Sequence, residues 1–278
     1  MFGLAILAIA TCVGPTSGTE KLPEIALIID DIGYHYENGR SVIELQRPFA
    51  YSILPFSPHA EKLAHLANAL EKDVMVHLPM EADHANHLLG PGALRFGMSR
   101  TEIENSLIDS LAAVPHAVGV NNHMGSKLTR EPEPMRWLMH AIHERGELFF
   151  VDSKTTSHSV ALSSALRADI ASTVRDVFLD NVQTRPHIEE QLRKLVAEAK
   201  RKGHALGIAH PHPTTIGVLR DWEPSVTGVR LVAIGDYIEA HQHYGDEGPA
   251  ATALRLAVSE CGNESSDANP TENPNAQR

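Results

Sequence analysis

The chain has 278 residues, 42% of them hydrophobic, and a formal net charge of −11. That length allows one large domain or two small ones, and a single barrel of roughly 200–250 residues fits it. An acidic body without a basic run argues against nucleic acid and anionic membrane surfaces as partners, and suits a neutral or cationic substrate.

At the N-terminus, Phe2 to Val13 form an apolar run followed by Gly14, Pro15, Thr16, Ser17 and Gly18. The run is too short to span a bilayer and fits the apolar core of an export leader occupying residues 1–20. No Lys or Arg precedes it. The expected location is therefore periplasmic or secreted. Cys12 and Cys261 are the only cysteines, which leaves the body between them without a disulfide, a thiol nucleophile or a thiolate ligand. Any metal there must sit on His and carboxylates.

From residue 22 to 245 the sequence predicts one domain of alternating strands and helices. Strand-like apolar runs occur at Ile25–Asp30, Phe49–Leu54, Val74–His77, Val118–Asn121, Leu148–Val151, Val177–Leu179, Ala205–Ala209 and Val229–Ile234. Nearly unbroken apolar runs are expected of parallel strands buried on both faces. Between them, Ser57-Pro58 predicts a helix start, and Ser99 with Glu102 forms a capping box. Thr184 to Pro186 opens a long helix with Ile188, Leu192, Leu195, Val196 and Ala199 inward, closed by Gly203. Pro79–Gly97 reads as a rim loop. The pattern predicts an α/β fold, a distorted (β/α) barrel of seven or eight mostly parallel strands, with a doubly wound sheet as the alternative. No glycine-rich phosphate loop follows the first strand, which removes the main support for nucleotide binding. Residues 246–278 carry a net −4, leaving −7 on the rest, and their composition predicts a disordered acidic tail.

Polar residues gather at the C-terminal ends of these runs: Asp30 and Asp31, His77, Asn121 to His123, Asp152, and His210 with His212. That end is where barrels place their active sites. Two adjacent carboxylates beside several imidazoles are costly to bury unless a cation or a shared proton compensates. Oxygen and nitrogen donors without sulfur suit zinc or another divalent first-row metal. Such a metal lowers the pKa of water and polarises a substrate carbonyl. Asp30 and Asp31 point to opposite sides of an extended chain, so both reach one site only if the backbone turns there. The residues imply metal-assisted hydrolysis and leave the bond open.

The blocks Ile28–Gly33 (IIDDIG), His77–Glu81 (HLPME), Gly119–Ser126 (GVNNHMGS), Phe150–Thr156 (FVDSKTT), Arg175–Asn181 (RDVFLDN) and Ile208–Pro213 (IAHPHP) occur in order. Together they resemble the divergent polysaccharide deacetylase family, over roughly Pro23 to Tyr237. The resemblance implies removal of acetyl groups from an acetylated carbohydrate on a distorted barrel. By analogy with ordinary polysaccharide deacetylases it makes Asp30 the general base and Asp31 a metal ligand. Those enzymes take two more ligands from a single His-x-x-x-His loop, which is missing here; His77 and His123 replace them. His210 matches the general acid, with His212 as the lesser match, and Arg175 stands in for the Arg that braces the base. Glu81, Asp152 and Asn122 become residues that orient ligands or substrate. Two other functions remain open: a non-catalytic envelope protein using the barrel to bind glycan or as a scaffold, and a phosphoesterase, which no Lys/Arg cluster beside the motifs favours. The oligomeric state is not legible.

Overall fold

The computed structural model describes residues 21–241. The expected leader, the acidic tail and both cysteines lie outside the described residues. In chain order the elements are β1 (Glu24–Ile32), α1 (Tyr36–Ile43), β2 (Ala50–Ile53), α2 (Ala60–Ala69), β3 (Val74–Met80), α3 (Arg100–Ala113), β4 (Ala117–Met124), α4 (Pro132–His143), β5 (Phe149–Asp152), α5 (Ala161–Arg167), β6 (Ser172–Val174), β7 (Val177–Phe178), α6 (Arg185–Lys202), β8 (His204–Ala209), α7 (Pro213–Asp221), β9 (Arg230–Leu231) and α8 (Ile234–His241). Every pairing between these strands is parallel, in the order β6-β5-β4-β3-β2-β1-β8-β7, with β9 added beside β1. The two ends of that order are consecutive in sequence. Only Arg175 and Asp176 separate them, and their N–H groups donate to Asp152 O on β5 and Leu206 O on β8. The sheet therefore curls into a barrel whose seam these two residues cross.

Side chains alternate across each strand, and the two faces bury different cores. Ile25, Leu27 and Ile29 of β1 face the helices and join the larger core. Ala26, Ile28, Met75, Phe149, Val151, Leu206 and Ile208 line the barrel interior, where Tyr237 and Ile238 of α8 pack against them. Beyond Glu24 and His204 at the N-terminal mouth, the interior is apolar to about mid-height.

Local signals hold where capping chemistry is complete. Ser99 and Glu102 make the capping box of α3, and Gly203 ends α6 in the left-handed region at φ 90°. Ser57 does not cap α2, because its hydroxyl donates to Leu54 O and the helix starts at Ala60. It packs against Gly33 instead, where φ is 135° and an added Cβ would lie 1.8 Å from Ser57 Oγ, so only glycine fits. The expected strand at Val229–Ile234 shrinks to Arg230–Leu231. Asp73 accepts from Gly235 N and holds the first turn of α8, which takes Ile234 into helix. β6 and β7 form where one strand was expected, joined without a helix.

At the N-terminal end of the barrel, buried Glu24 accepts from Arg230 at 2.5 Å and meets His241 at 2.8 Å and Lys21 at 3.0 Å. Burial works to raise its pKa, but these partners outweigh it and hold the carboxyl at about 2. Glu24 should therefore contribute stability above the unfolded pKa of about 4.3, lost as pH falls toward about 2. The contribution is on the order of 1–2 kcal/mol once solvent screening of exposed Arg230 and Lys21 is allowed for. Urea melts of wild type and Glu24→Gln should differ at pH 6 and converge only as pH falls below about 2; equal stability at pH 6 contradicts this role.

Candidate active site

Above mid-height the barrel interior changes from apolar to polar. The inward positions run Ala26, Ile28, Asp30 on β1; Met75, His77 on β3; Asn121, His123 on β4; and Leu206, Ile208, His210 on and just past β8. Alternation alone would send Asp31 outward. The register between β1 and β2 slips between Ile29 and Ile32, and Asp31 adopts φ 57°. This bulge turns both carboxylates into one cluster.

Asp31 Oδ1 lies 3.0 Å from His123 Nδ1 and 3.3 Å from His77 Nε2, and the two nitrogens are 3.1 Å apart. Despite those contacts, Oδ1 is buried and makes a hydrogen bond with neither ring. Donors bound to one tetrahedral zinc at 2.0–2.1 Å lie about 3.3 Å from one another. The triangle matches that spacing, and the donor set is one zinc accepts. Asp31, His77 and His123 thus fit a divalent metal.

Asn121 organises the floor of this cluster. Its Oδ1 accepts from Ser52 Oγ at 2.5 Å and from His77 Nδ1 at 2.8 Å, while its Nδ2 donates to Asp30 Oδ1 at 2.8 Å. With the proton of neutral His77 on Nδ1, the Nε2 lone pair faces Asp31, as a metal ligand requires. Asp30 Oδ2 sits 3.7 Å from His77 Nε2. Across the cluster, His210 Nε2 approaches Asp31 Oδ2 at 3.8 Å, and its Nδ1 meets Asp180 Oδ1 at 2.9 Å. Asp180 Oδ2 also accepts from His210 N and Thr215 Oγ1, both at 2.8 Å.

The electrostatics show a site that attracts positive charge. Burial pushes the Asp30 carboxyl above its ordinary range, against the pull of His77 and His210. Burial opposes ionisation of Asp31 too, yet the adjacent imidazoles of His123 and His77 hold it well below the usual carboxylate range. For His77, burial disfavours the proton, but Asp30 and Asp31 outweigh it and raise the pKa. His210 rises to about 9: burial opposes its charge, and Asp180 with Asp31 and Asp30 overcomes it. A divalent cation would answer the same demand.

The structure brings Asp30, Asp31, His77, His123 and His210 together. His212 lies beside them, its ring stacked on His210 at 5.7 Å, at the start of α7. Asp180, His210 and His212 form a second group of donors within 4.8 Å, but the oxygens of Asp180 already hold His210 and Thr215. Asn122, Asp152, Glu81 and Arg175 do not enter the cluster. Asn122 faces the other side of β4, where it bonds Ser153 N and Met124 O. Asp152, outward after inward Val151, holds Lys154 N and Ser159 Oγ. Glu81 ties the rim loop, accepting from Lys127 Nζ and Phe96 N at 2.6 Å each. Arg175 does not bond Asp30; it donates to Ser153 O at 2.7 Å and Lys154 O at 2.9 Å. Asn121 fills the bracing role instead. Asn121 and Asp180 make contacts to the cluster that residue type alone did not single out; counting back in twos from His123 finds the first.

Asn121→Ala should loosen Asp30 and His77 at once. Zinc affinity by calorimetric titration is expected to fall roughly 10–100-fold, as on losing a ligand-orienting residue. The buried partners left without a bond should lower stability by about 1–3 kcal/mol. Unchanged zinc affinity would remove Asn121 from the account.

Residues 27–238 match the family model described as divergent polysaccharide deacetylase. YibQ of Escherichia coli is 38% identical over 215 residues, covering 76% of this chain and 67% of its own. An uncharacterized protein of Haemophilus influenzae is 34% identical over 205 residues, covering 74% and 72%. The crystal structure of ATU2773 from Agrobacterium tumefaciens superposes with a TM-score of 0.74 at 20% identity, covering 79% of this chain and 91% of that one, which extends the same fold to a distant sequence. With its motifs on the polar rim of a curled parallel barrel and its family match spanning most of the chain, the protein belongs to the divergent polysaccharide deacetylase family.

Proposed function

We propose that the protein is an exported, metal-dependent hydrolase that removes acetyl groups from a glycan of the cell envelope or exterior. The observation that carries the reading is the triangle of Asp31, His77 and His123 flanked by Asp30 on one side and the Asp180–His210 pair on the other. When bound there, a divalent metal such as zinc polarises the acetyl carbonyl and makes water a better nucleophile at neutral pH. Asp30, fixed by Asn121 and made more basic by burial, takes the proton from the attacking water. His210, with Nδ1 held by Asp180, presents Nε2 to the opposite side and gives a proton to the departing amine or hydroxyl oxygen.

Among the described residues no helix is long and apolar enough to cross a membrane. Export rests on the apolar run Phe2–Val13 followed by small residues and a Pro/Gly break. N-terminal sequencing of protein from its host should find a start between Cys12 and Lys21, and soluble cytoplasmic protein with Met1 intact contradicts export.

Asp30→Asn keeps the volume of the side chain and most of its hydrogen bonds. It should retain zinc and fold while acetate release from an acetylated glycan falls about 10²–10⁴-fold. A fully active Asp30→Asn enzyme excludes Asp30 as the base. If metal-loaded wild type releases no acetate from any glycan, the non-catalytic glycan-binding reading replaces this one.

A further inference from the structure

The acidic balance of the chain is not uniform over its surface. Beside the seam of the barrel an open cleft of about 890 Å³ runs between the β6–β7 connection and α6. Its walls carry Lys154, Arg175, Lys194, Arg201 and Lys202 against only Asp176 and Glu198. These five cations come from three separate segments and cluster only on folding. Arg201 pairs with Glu198, and Lys202 pairs with Asp176. Lys154, Arg175 and Lys194 form no salt bridge among the described residues.

Arg175 is the informative member. It is half-buried, and both partners that its guanidinium holds are neutral carbonyls, Ser153 O and Lys154 O. Burial pulls its pKa down, against the more distant Asp30, Asp152 and Asp176. A partly desolvated guanidinium without a paired anion is costly to keep. With Nε and one Nη2 donor on those carbonyls, the Nη1–Nη2 edge is left to match a carboxylate or a phosphate.

The cleft also adjoins the proposed acid. Arg175 lies over the Phe178 ring at 5.1 Å, and that ring meets the His210 imidazole edge-on, also at 5.1 Å. A glycan held with its acetyl group at the Asp31 cluster would reach this wall by extending past His210 and Phe178 to Arg175.

We propose that the cleft is an anion-binding subsite of the same active site, holding a carboxylate or phosphate that the glycan carries near its acetylated sugar. The inference rests on the deacetylase reading for its location, but the cleft's preference for anions is measurable without turnover. The substrate class thereby narrows from acetylated glycans in general to acidic ones, despite the acidity of the chain as a whole.

Zinc-loaded full-length protein is titrated calorimetrically in about 50 mM salt, where exposed charges are weakly screened. The probes are tetragalacturonate, a tetrasaccharide bearing one phosphate monoester, and neutral tetra-N-acetylchitotetraose. At least one anionic probe should bind roughly tenfold tighter than the neutral one, the effect of a few partly exposed pairs. The stronger of the two anionic probes identifies the group. The preference should shrink in high salt and vanish in a Lys154→Glu/Lys194→Glu variant, whose two changes fall on exposed side chains and should leave zinc content and melting unchanged. Equal binding of all three probes, or a preference that the double variant retains, overturns the subsite. An anion preference without acetate release from any glycan keeps the subsite and sinks the deacetylase reading. Acetate release without the preference does the reverse.

Discussion

Two carboxylates on consecutive residues cannot face the same side of a regular strand, and the candidate site depends on the break in that rule at Asp30 and Asp31. The slipped register between Ile29 and Ile32, with Asp31 at φ 57°, turns the second carboxylate back toward the first. Like charges so close repel, and burial makes that repulsion more costly. The rest of the rim answers the cost. Asn121 donates to Asp30, His77 and His123 crowd Asp31, and His210 approaches from the far side. The bulge creates the demand for positive charge, and the three converging donors are placed where a cation would satisfy it.

The barrel makes this arrangement affordable by separating stability from chemistry along its axis. Its lower interior is filled by Ala26, Ile28, Met75, Leu206 and Ile208, with α8 packed against them. The helix-facing core lies on the other side of the sheet. The strained backbone of Asp31 and the desolvated side chains of Asp30 and His77 sit at the strand ends, where packing below holds them in place. Arg175 belongs to both regions. Its backbone spans the seam, and its side chain ties the β5 loop while facing the basic cleft.

Much of this was legible in the sequence because buried parallel strands announce themselves as apolar runs, and a polar residue ending such a run is conspicuous. Asp30, Asp31, His77, His123 and His210 all carry that signal, and the motif blocks around them supplied the family. Other features left weaker traces. β6 is the short polar segment Ser172–Val174, with no apolar run to mark it. Asn121 and Asn122 are the same residue type, so only strand parity separates the one that faces the site from the one that does not. Asp180 gains its role from His210, thirty positions away, and the basic cleft draws on residues spread from Lys154 to Lys202. Contacts made by the barrel's closure are not written in any local pattern.

The central claim is that Asp31, His77 and His123 are the seat of a divalent metal. Anomalous diffraction at the zinc absorption edge, from crystals grown with zinc, tests it most directly. The account predicts one dominant peak, about 2.0–2.2 Å from Asp31 Oδ1, His77 Nε2 and His123 Nδ1. A map without a peak among those three atoms, or with its dominant peak at Asp180, His210 and His212, would contradict it.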